Sequence, residues 1–351
     1  MSQTDRHTLV VILPALDEEK TVGQVIAAIP REIPGIDRVE ALVVDDGSTD
    51  GTVEIARRAG AQVVSHALRR GVGAAFATGI ETALRMGADY IVNMDADGQF
   101  NPADIPALLE PLLAGRADFA TCTRFARKDL VPEMPRVKKW GNRMMCRIIN
   151  WIIWGGRFTD VSCGFRAYTR ETALRLNLFG QFTYTQETFI DLAAKGVRMA
   201  EVPLRVRGVR EHGKSRVASN LWSYGTSALL IILRSMRDIR PLKFFGLISA
   251  ILLGLGVLCG LFVVGWWCAT GATTPFHSVL IGSATFLMVG FIVGVLALLA
   301  DMIGRVRKMQ EAILLHQKRE GLRPEAGGQR GEAKADDAKS DSPGGEREGS
   351  R

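Results

Sequence analysis

Asp95 and Asp97 stand one residue apart in YIVNMDADGQFNP, the stretch from Tyr90 to Pro102. An apolar run leads straight into them, and charges beside a buried sheet cost free energy unless something pairs with them. In an extended segment residues i and i+2 point the same way, so both acids can face one ligand, with Gln99 beyond. Two hard oxygens suit Mg²⁺ or Mn²⁺, which takes one or two carboxylates and completes its shell with water and phosphate oxygens. Two more acidic clusters accompany this one, LDEE at Leu16–Glu19 and DDGSTD at Asp45–Asp50. Helix caps and turns also favour Asp and Ser, which accounts for Ser48, Thr49 and Asp50 but not for three clusters that each end an apolar run.

Calcium is the competing ion. An EF-hand loop needs polar ligands at its first, third and fifth places, glycine at the sixth and glutamate at the twelfth. DGSTDGTVEIAR begins that way, with Asp46, Ser48, Asp50 and Gly51, but its twelfth residue is Arg57. DADGQFNPADIP has glycine fourth and Pro106 twelfth. No GxxxxGK[ST] phosphate loop occurs, and RRGVGAAFATG has Gly71 and Gly73 without a third glycine in register for a dinucleotide fingerprint.

These residues need a frame. From Thr8 to about Arg124, the β-branched runs TLVVIL, VEALVV, AQVVSH, DYIVNM and DFATCT alternate with helical stretches such as Glu18–Ile29, Gly71–Met86 and Pro102–Ala114. Near-continuous apolar strands alternating with helices predict an α/β fold, a mostly parallel sheet covered on both faces. Ligands of such sheets lie beyond the carboxyl ends of the strands, where the three acidic clusters fall. Past a proline-bearing loop at Phe125–Arg136, a helix is expected over Val137–Trp154, a strand over Cys163–Thr169, a helix over Thr185–Ala194 and a strand over Arg198–Val202.

The net charge of +7 is carried by one block: Leu204–Lys243 holds nine Lys or Arg against two acids. Such a block just before an apolar region predicts anionic lipid headgroups or a phosphorylated ligand. With no aromatic interleaving and no recognised binding motif, nucleic acid is not expected. Phe244–Cys268 and Val279–Ala300 carry no charge, and the first, at ~1.5 Å per residue, spans roughly 37 Å, more than the ~30 Å hydrocarbon core. Arg234, Arg237, Arg240 and Lys243 precede the pair, Arg305, Arg307 and Lys308 follow it, and the link ATGATTPFH has no Lys or Arg. The positive-inside rule then predicts a transmembrane hairpin with both ends cytoplasmic. Before it, NLWSYGTSALLIILRSMRDIRP reads as an interfacial helix with Trp222 and Tyr224 at headgroup level. The tail from Lys318, rich in charge, Gly and Ser, is expected to be disordered. The five cysteines are odd in number and form no CxxC, so neither a disulfide framework nor a zinc site is expected, and LVVILPAL is not a signal peptide.

In chain order, LPALDEE, VVDDGSTDGT, MDADGQFNP, TRF, DVSCGFRAY and EVPLRVRGVREHGKSR resemble family-2 glycosyltransferases with the GT-A fold, and most of all dolichyl- or polyprenyl-phosphate sugar synthases. The resemblance covers roughly Thr8 to Arg216. It implies a Rossmann-like GT-A domain over 1–216 and an inverting transfer of a hexose from a nucleotide sugar, with GDP and UDP both open. By motif, Pro14, Glu18 and Asp46 would contact base and ribose, and Val44, Asp95 and Ala96 complete the nucleotide-contact set. Asp95, Asp97 and Gln99 would bind metal and diphosphate; Arg124, Arg210 and Arg216 would meet phosphates. Leu16 stands where many relatives carry an aromatic, and Arg216 where many carry Lys, which leaves the nucleotide open.

Two acceptors fit. A hydroxyl needs a positioned base, for which Glu187 in YTQETFID is the best candidate. A lipid phosphomonoester, with its second pKa near ~6, is largely dianionic at neutral pH and needs cations instead. Arg124, Arg127, Lys128, Arg136, Lys138, Lys139 and the block from Arg205 to Arg216 supply them. RVKKW at Arg136–Trp140 only approaches the QxxRW motif of polysaccharide synthases, and two spans are few for a polymer channel. The expected layout is a GT-A domain over 1–216, an interfacial helix over 217–241, two spans within 242–312 and a tail over 313–351, in the inner membrane with the catalytic domain cytoplasmic. The expected partners are a nucleotide sugar, polyprenyl phosphate and the bilayer, with a homo-oligomer left open. A sensor that binds nucleotide sugar without turnover is the non-enzymatic alternative.

Overall fold

The computed structural model describes residues 6–132, 134, 136–153, 157–177, 184–207 and 241–322. β1 (Thr8–Ala15), β2 (Arg38–Asp45), β3 (Gln62–Ser65), β4 (Tyr90–Asn93) and β5 (Phe119–Thr123) alternate with α1 (Val22–Ala27), α2 (Thr52–Arg58), α3 (Val72–Arg85) and α4 (Ile105–Leu113). α5 (Arg136–Ile153), β6 (Arg166–Thr169), α6 (Arg170–Arg175), α7 (Tyr184–Ala194) and β7 (Met199–Pro203) follow. The strands form one sheet in the order β3-β2-β1-β4-β6-β5-β7. Its pairs are parallel except those of β6, which runs antiparallel to β4 and β5.

The period-2 alternation of strand side chains divides the core in two. From β1, Leu9, Val11 and Leu13 enter the layer that holds Val22, Ile26, Ile105 and Leu108 of α1 and α4. Val10 and Ile12 enter the other layer, with Phe76 and Ile80 of α3, Ile149 of α5 and Phe189 of α7. The approach of α3 to β1 is close: a Cβ on Gly79 would lie 2.5 Å from Ile12 Cγ2.

Two long helices close the described chain, α8 (Pro241–Thr270) and α9 (His277–Gly321). Both are long and apolar enough to cross a membrane. Their contact is reciprocal. Ser249 Oγ donates to the Gly290 carbonyl and Ser283 Oγ to the Gly256 carbonyl, each at 2.7 Å. Gly256 sits against Leu287 and Gly290 against Leu253, with no room for a Cβ at either. Small residues that let backbones approach, with hydroxyls bonded across, are what holds helices together where lipid removes the hydrophobic drive.

Several elements differ from expectation. The first helix begins at Val22 rather than Glu18, because Asp17 turns the chain at φ 50° and the Glu18 amide bonds Thr52 Oγ1 instead of a helical carbonyl. β6 starts at Arg166, where its pairing with Asn93 begins. The short α6 follows it directly. The supposed tail is helical through Gly321. The expected interfacial helix, Arg210, Arg216 and the tail beyond 322 lie outside the described residues.

The last turns of α9 dock on the sheet domain. Lys318 Nζ donates to the carbonyls of Leu174 (3.3 Å) and Leu176 (3.0 Å) and to Asn177 Oδ1 (3.1 Å). Arg319 pairs with Glu171 at 2.5 Å, and Leu315 and Leu322 pack on the α3–α7 core layer. The order of contacts gives a direction. Burial pushes Asp191 of α7 above its ordinary range against the opposing pull of Lys195, and the Glu311 carboxylate of α9 adds to the rise. Lys318 lies by Lys195, just past the end of α7. Gly321 and Leu322 border a cleft with Leu84, Arg85, Gly87 and Asp89, where α3 ends. From Glu311 to Leu322, α9 therefore passes from α7 to the end of α3, and its last turns lead toward the amino ends of the parallel strands.

Candidate active site

The carboxyl ends of β1 and β2 lie side by side, Pro14 opposite Val44 and Ala15 opposite Asp45. The loops that leave them are tied together. The Asp17 amide donates to Ser48 Oγ (2.9 Å), the Thr49 amide to Asp17 Oδ1 (2.9 Å) and the Gly51 amide to Glu19 Oε2 (3.1 Å). Thr21 Oγ1 donates to the Ala96 carbonyl at 2.8 Å, which brings in the loop after β4. The three acidic clusters thus meet at one sheet edge.

Asp95 and Asp97 occupy that third loop. The chain does not stay extended, as the alternation argument assumed: it turns, Gly98 takes φ 74°, and Asp97 Oδ1 accepts the Gln99 amide at 3.0 Å. Asp97 is buried, at 2 % exposure, while Asp95 is half-buried nearer the rim. Gln99 is held elsewhere, its Nε2 donating to the Arg207 carbonyl (3.2 Å) and its carbonyl accepting the Arg207 amide (3.0 Å). Among the described residues no three His, Cys, Asp or Glu gather as a metal cage. Two carboxylates on one turn match a hard divalent cation that keeps its remaining positions for water and phosphate.

Asp46 is spoken for by the chain itself. Its buried carboxylate accepts the amides of Arg70 and Gly71, each at 2.8 Å, and meets His66 Nδ1 at 2.9 Å. His66 Nε2 in turn meets Thr78 Oγ1 at 3.0 Å. Asp46 therefore shapes the Arg69–Gly71 loop, whose two arginines are exposed at the rim, and with it the start of α3.

Arg124, at the end of β5, is gripped by Asp160: Nε to Oδ2 at 2.6 Å and Nη2 to Oδ1 at 3.0 Å, with Ser162 Oγ at 2.9 Å from Nη2. Burial disfavours the cation, but the Asp160 carboxylate outweighs it and Arg124 holds its proton more tightly than usual. Among the described residues, nothing takes a hydrogen bond from Nη1. The loop carrying Asp160 is pinned by Glu201, whose carboxylate accepts the amides of Thr159 (2.8 Å) and Asp160 (2.9 Å) and the Thr159 hydroxyl (2.9 Å). Burial pushes the Glu201 carboxyl above its ordinary range. Cysteine nucleophiles are disfavoured here. A thiol–thiol hydrogen bond to Cys163, with burial, pushes Cys122 far up, and burial pushes Cys146 to about 12. Glu187 is half-buried on the first turn of α7, on the α3–α7 side of the sheet.

Thr21, His66, Asp160 and Glu201 had not been singled out from sequence. Asp160 and Glu201 sit in two of the quoted motifs, but nothing in either string says that they meet.

A mostly parallel sheet with an acidic crevice at its carboxyl edge and one antiparallel strand beside it defines the GT-A class of glycosyltransferases. Residues 10–175 match the model of "Glycosyl transferase family 2". Over 306 residues, the chain is 30% identical to Glycosyltransferase AglJ of Haloferax volcanii, covering 86% of this chain and 95% of that protein. It is 29% identical over 223 residues to Polyprenol monophosphomannose synthase of Mycolicibacterium smegmatis, covering 60% and 81% respectively. The fold matches glucosyl-3-phosphoglycerate synthase from Mycobacterium tuberculosis, solved with Mn²⁺, UDP-glucose and phosphoglyceric acid, at TM-score 0.50 and 26% identity, covering 66% of this chain and 79% of that one. The chain belongs to glycosyltransferase family 2, and it is a glycosyltransferase.

Proposed function

We propose that this glycosyltransferase moves one hexose, with inversion, from a GDP- or UDP-linked donor to polyprenyl phosphate at the cytoplasmic face of the cell membrane. The observation that carries the acceptor is the direction of α9. α3 has 14 residues, about 21 Å at ~1.5 Å per residue. It runs from the crevice edge to the opposite edge, where Leu322 lies. The same rise walked back along α9 ends near Lys308, about two turns outside the uncharged stretch that closes at Ala300. On this reading, the crevice opens at headgroup level, where a lipid phosphate sits. The named activity of the mycobacterial polyprenol relative agrees.

The residues divide the work. Pro14, Glu18, Val44 and Ala96 line the nucleotide side, with Asp46 acting through the Arg69–Gly71 loop. Asp95 and Asp97 would hold a divalent cation, which would supply positive charge to offset that of the donor's diphosphate. Arg124, oriented by Asp160, offers Nη1 to a phosphate, and Arg210 and Arg216 are proposed to join it. A phosphate oxygen of the acceptor attacks the anomeric carbon, the bond to the diphosphate oxygen breaks, and the nucleoside diphosphate leaves. The dianionic acceptor needs no base. The layout proposed with it is a GT-A domain, an interfacial helix at 217–241 and a two-span hairpin with both ends cytoplasmic, its second helix continuing past 313.

The test is Asp97→Ala in proteoliposomes with Mg²⁺ or Mn²⁺. Transfer is expected to be abolished while the protein still inserts. Unchanged turnover, or wild-type turnover in EDTA, would overturn the metal role.

A further inference from the structure

We propose that the last turns of α9 form a rigid strut, and that Lys318 and Arg319 are positioning residues that hold the crevice at a set height over the bilayer. The inference rests on the reading above only for its effect on transfer; the strut itself is a matter of geometry.

A charged, Gly-rich segment beyond a membrane span usually stays solvated. Here the helix continues unbroken for about six turns past Ala300 and ends in a socket built for it. Lys318 satisfies all three ammonium donors on one target, the two carbonyls that end α6 and the Asn177 side chain. Those carbonyls belong to the group that a short helix leaves unbonded at its carboxyl end, and cations are favoured there. One residue on, Arg319 reaches Glu171, which also pairs with Arg175. Leu315 and Leu322, one turn before and one after, reach the α3–α7 core. Burial lowers the proton affinity of Lys318, the mark of an ammonium that has given up water for these contacts. An exposed helix has no need of such a socket. A helix that must transmit a position does, because α8 and α9 are locked to each other in the span by the two serine–carbonyl bonds.

The test lengthens the strut without touching its contacts. Seven helix-favouring residues inserted after Lys308 in the full-length protein add about 10 Å and return the helix to nearly the same phase. A fluorophore at Arg57, exposed on α2, reports distance by energy transfer to headgroup dyes in proteoliposomes. The expected result is one well-defined distance in the native protein and a longer one, by about that rise, in the insertion variant. An unchanged distance would overturn the strut, whatever the enzyme's acceptor. Transfer is then compared on long-chain polyprenyl phosphate in the bilayer and on a short-chain, water-soluble polyprenyl phosphate. The insertion is expected to lower the first rate roughly tenfold or more and leave the second near the native value, as loss of effective concentration requires. Arg319→Glu should act in the same way and be rescued by Glu171→Arg. Equal losses on both acceptors, or failure of the rescue, would overturn the positioning role. A native protein inactive on both lipids but showing the distance change would sink the acceptor reading and leave the strut standing.

Discussion

Removing the Asp160 carboxylate tests how the candidate site is held. Asp160 has no side-chain exposure and Arg124 has 19%, so the pair is screened little by solvent. Asp160→Ala strips Arg124 of its bidentate partner and leaves a buried cation with one hydroxyl, Ser162 Oγ. Breaking a buried pair from one side costs about 3–5 kcal/mol, mostly because the remaining charge is uncompensated. At about 2–4 °C per kcal/mol for a domain of this size, the unfolding midpoint should fall by roughly 10 °C. A second arginine–aspartate pair a few residues away supplies the control. Arg127 and Asp129 also bond at 2.8 Å, but their side chains are 64% and 54% exposed, and such pairs contribute only about 0–1 kcal/mol. Both variants are compared by thermal unfolding of the purified full-length protein in one detergent. If Asp160→Ala shifts the midpoint no more than Asp129→Ala, the buried pair does not organise this edge, and Arg124 needs another source of orientation.

Gly79→Val forces a branched side chain against Ile12 and Val44, where even a Cβ lies at 2.5 Å and 3.3 Å from their methyl groups; a loss of about 2 kcal/mol or more is expected from overpacking, read by denaturant midpoint, and wild-type stability would contradict the packing. Glu201 gives a pH signature: its raised native pKa means that the native state binds the proton more tightly than the unfolded chain, so the stability linked to it is complete below the ordinary carboxylate range and declines as pH rises through the native pKa. Glu201→Gln keeps an acceptor for the Thr159 and Asp160 amides and should flatten that decline; an unchanged slope of midpoint against pH would assign it to another group.

Much of the frame can be read from sequence because its signals are local. Each β-branched run that enters the sheet announces itself, and the acidic clusters end three of the parallel strands as the alternation of strand and helix requires. The unread parts depend on pairing between distant residues. β6 is antiparallel because of how Arg166–Thr169 meets Tyr90–Asn93, which a four-residue run, RAYT, does not disclose. DDGSTD shows Asp46 at a strand end but not that its oxygens accept amides more than twenty residues on. Arg124 was read as a phosphate contact without the Asp160 that aims it, 36 residues away. The helical end of α9 was hidden by composition: Leu315 and Leu322 are sparse among charges, and only their spacing on one face, completed by the α6 carbonyls, turns the segment into a docked helix.

The central claim is that the sugar ends on a lipid phosphate. Membranes carrying the enzyme, given isotopically labelled GDP- and UDP-hexoses with polyprenyl phosphate and a divalent cation, should yield polyprenyl phosphate heavier by one hexosyl residue in the mass spectrum, absent with EDTA or with Asp97→Ala. Label appearing only on the hydroxyl of a glycolipid and lost in Glu187→Gln, or no labelled lipid from either donor, would contradict it.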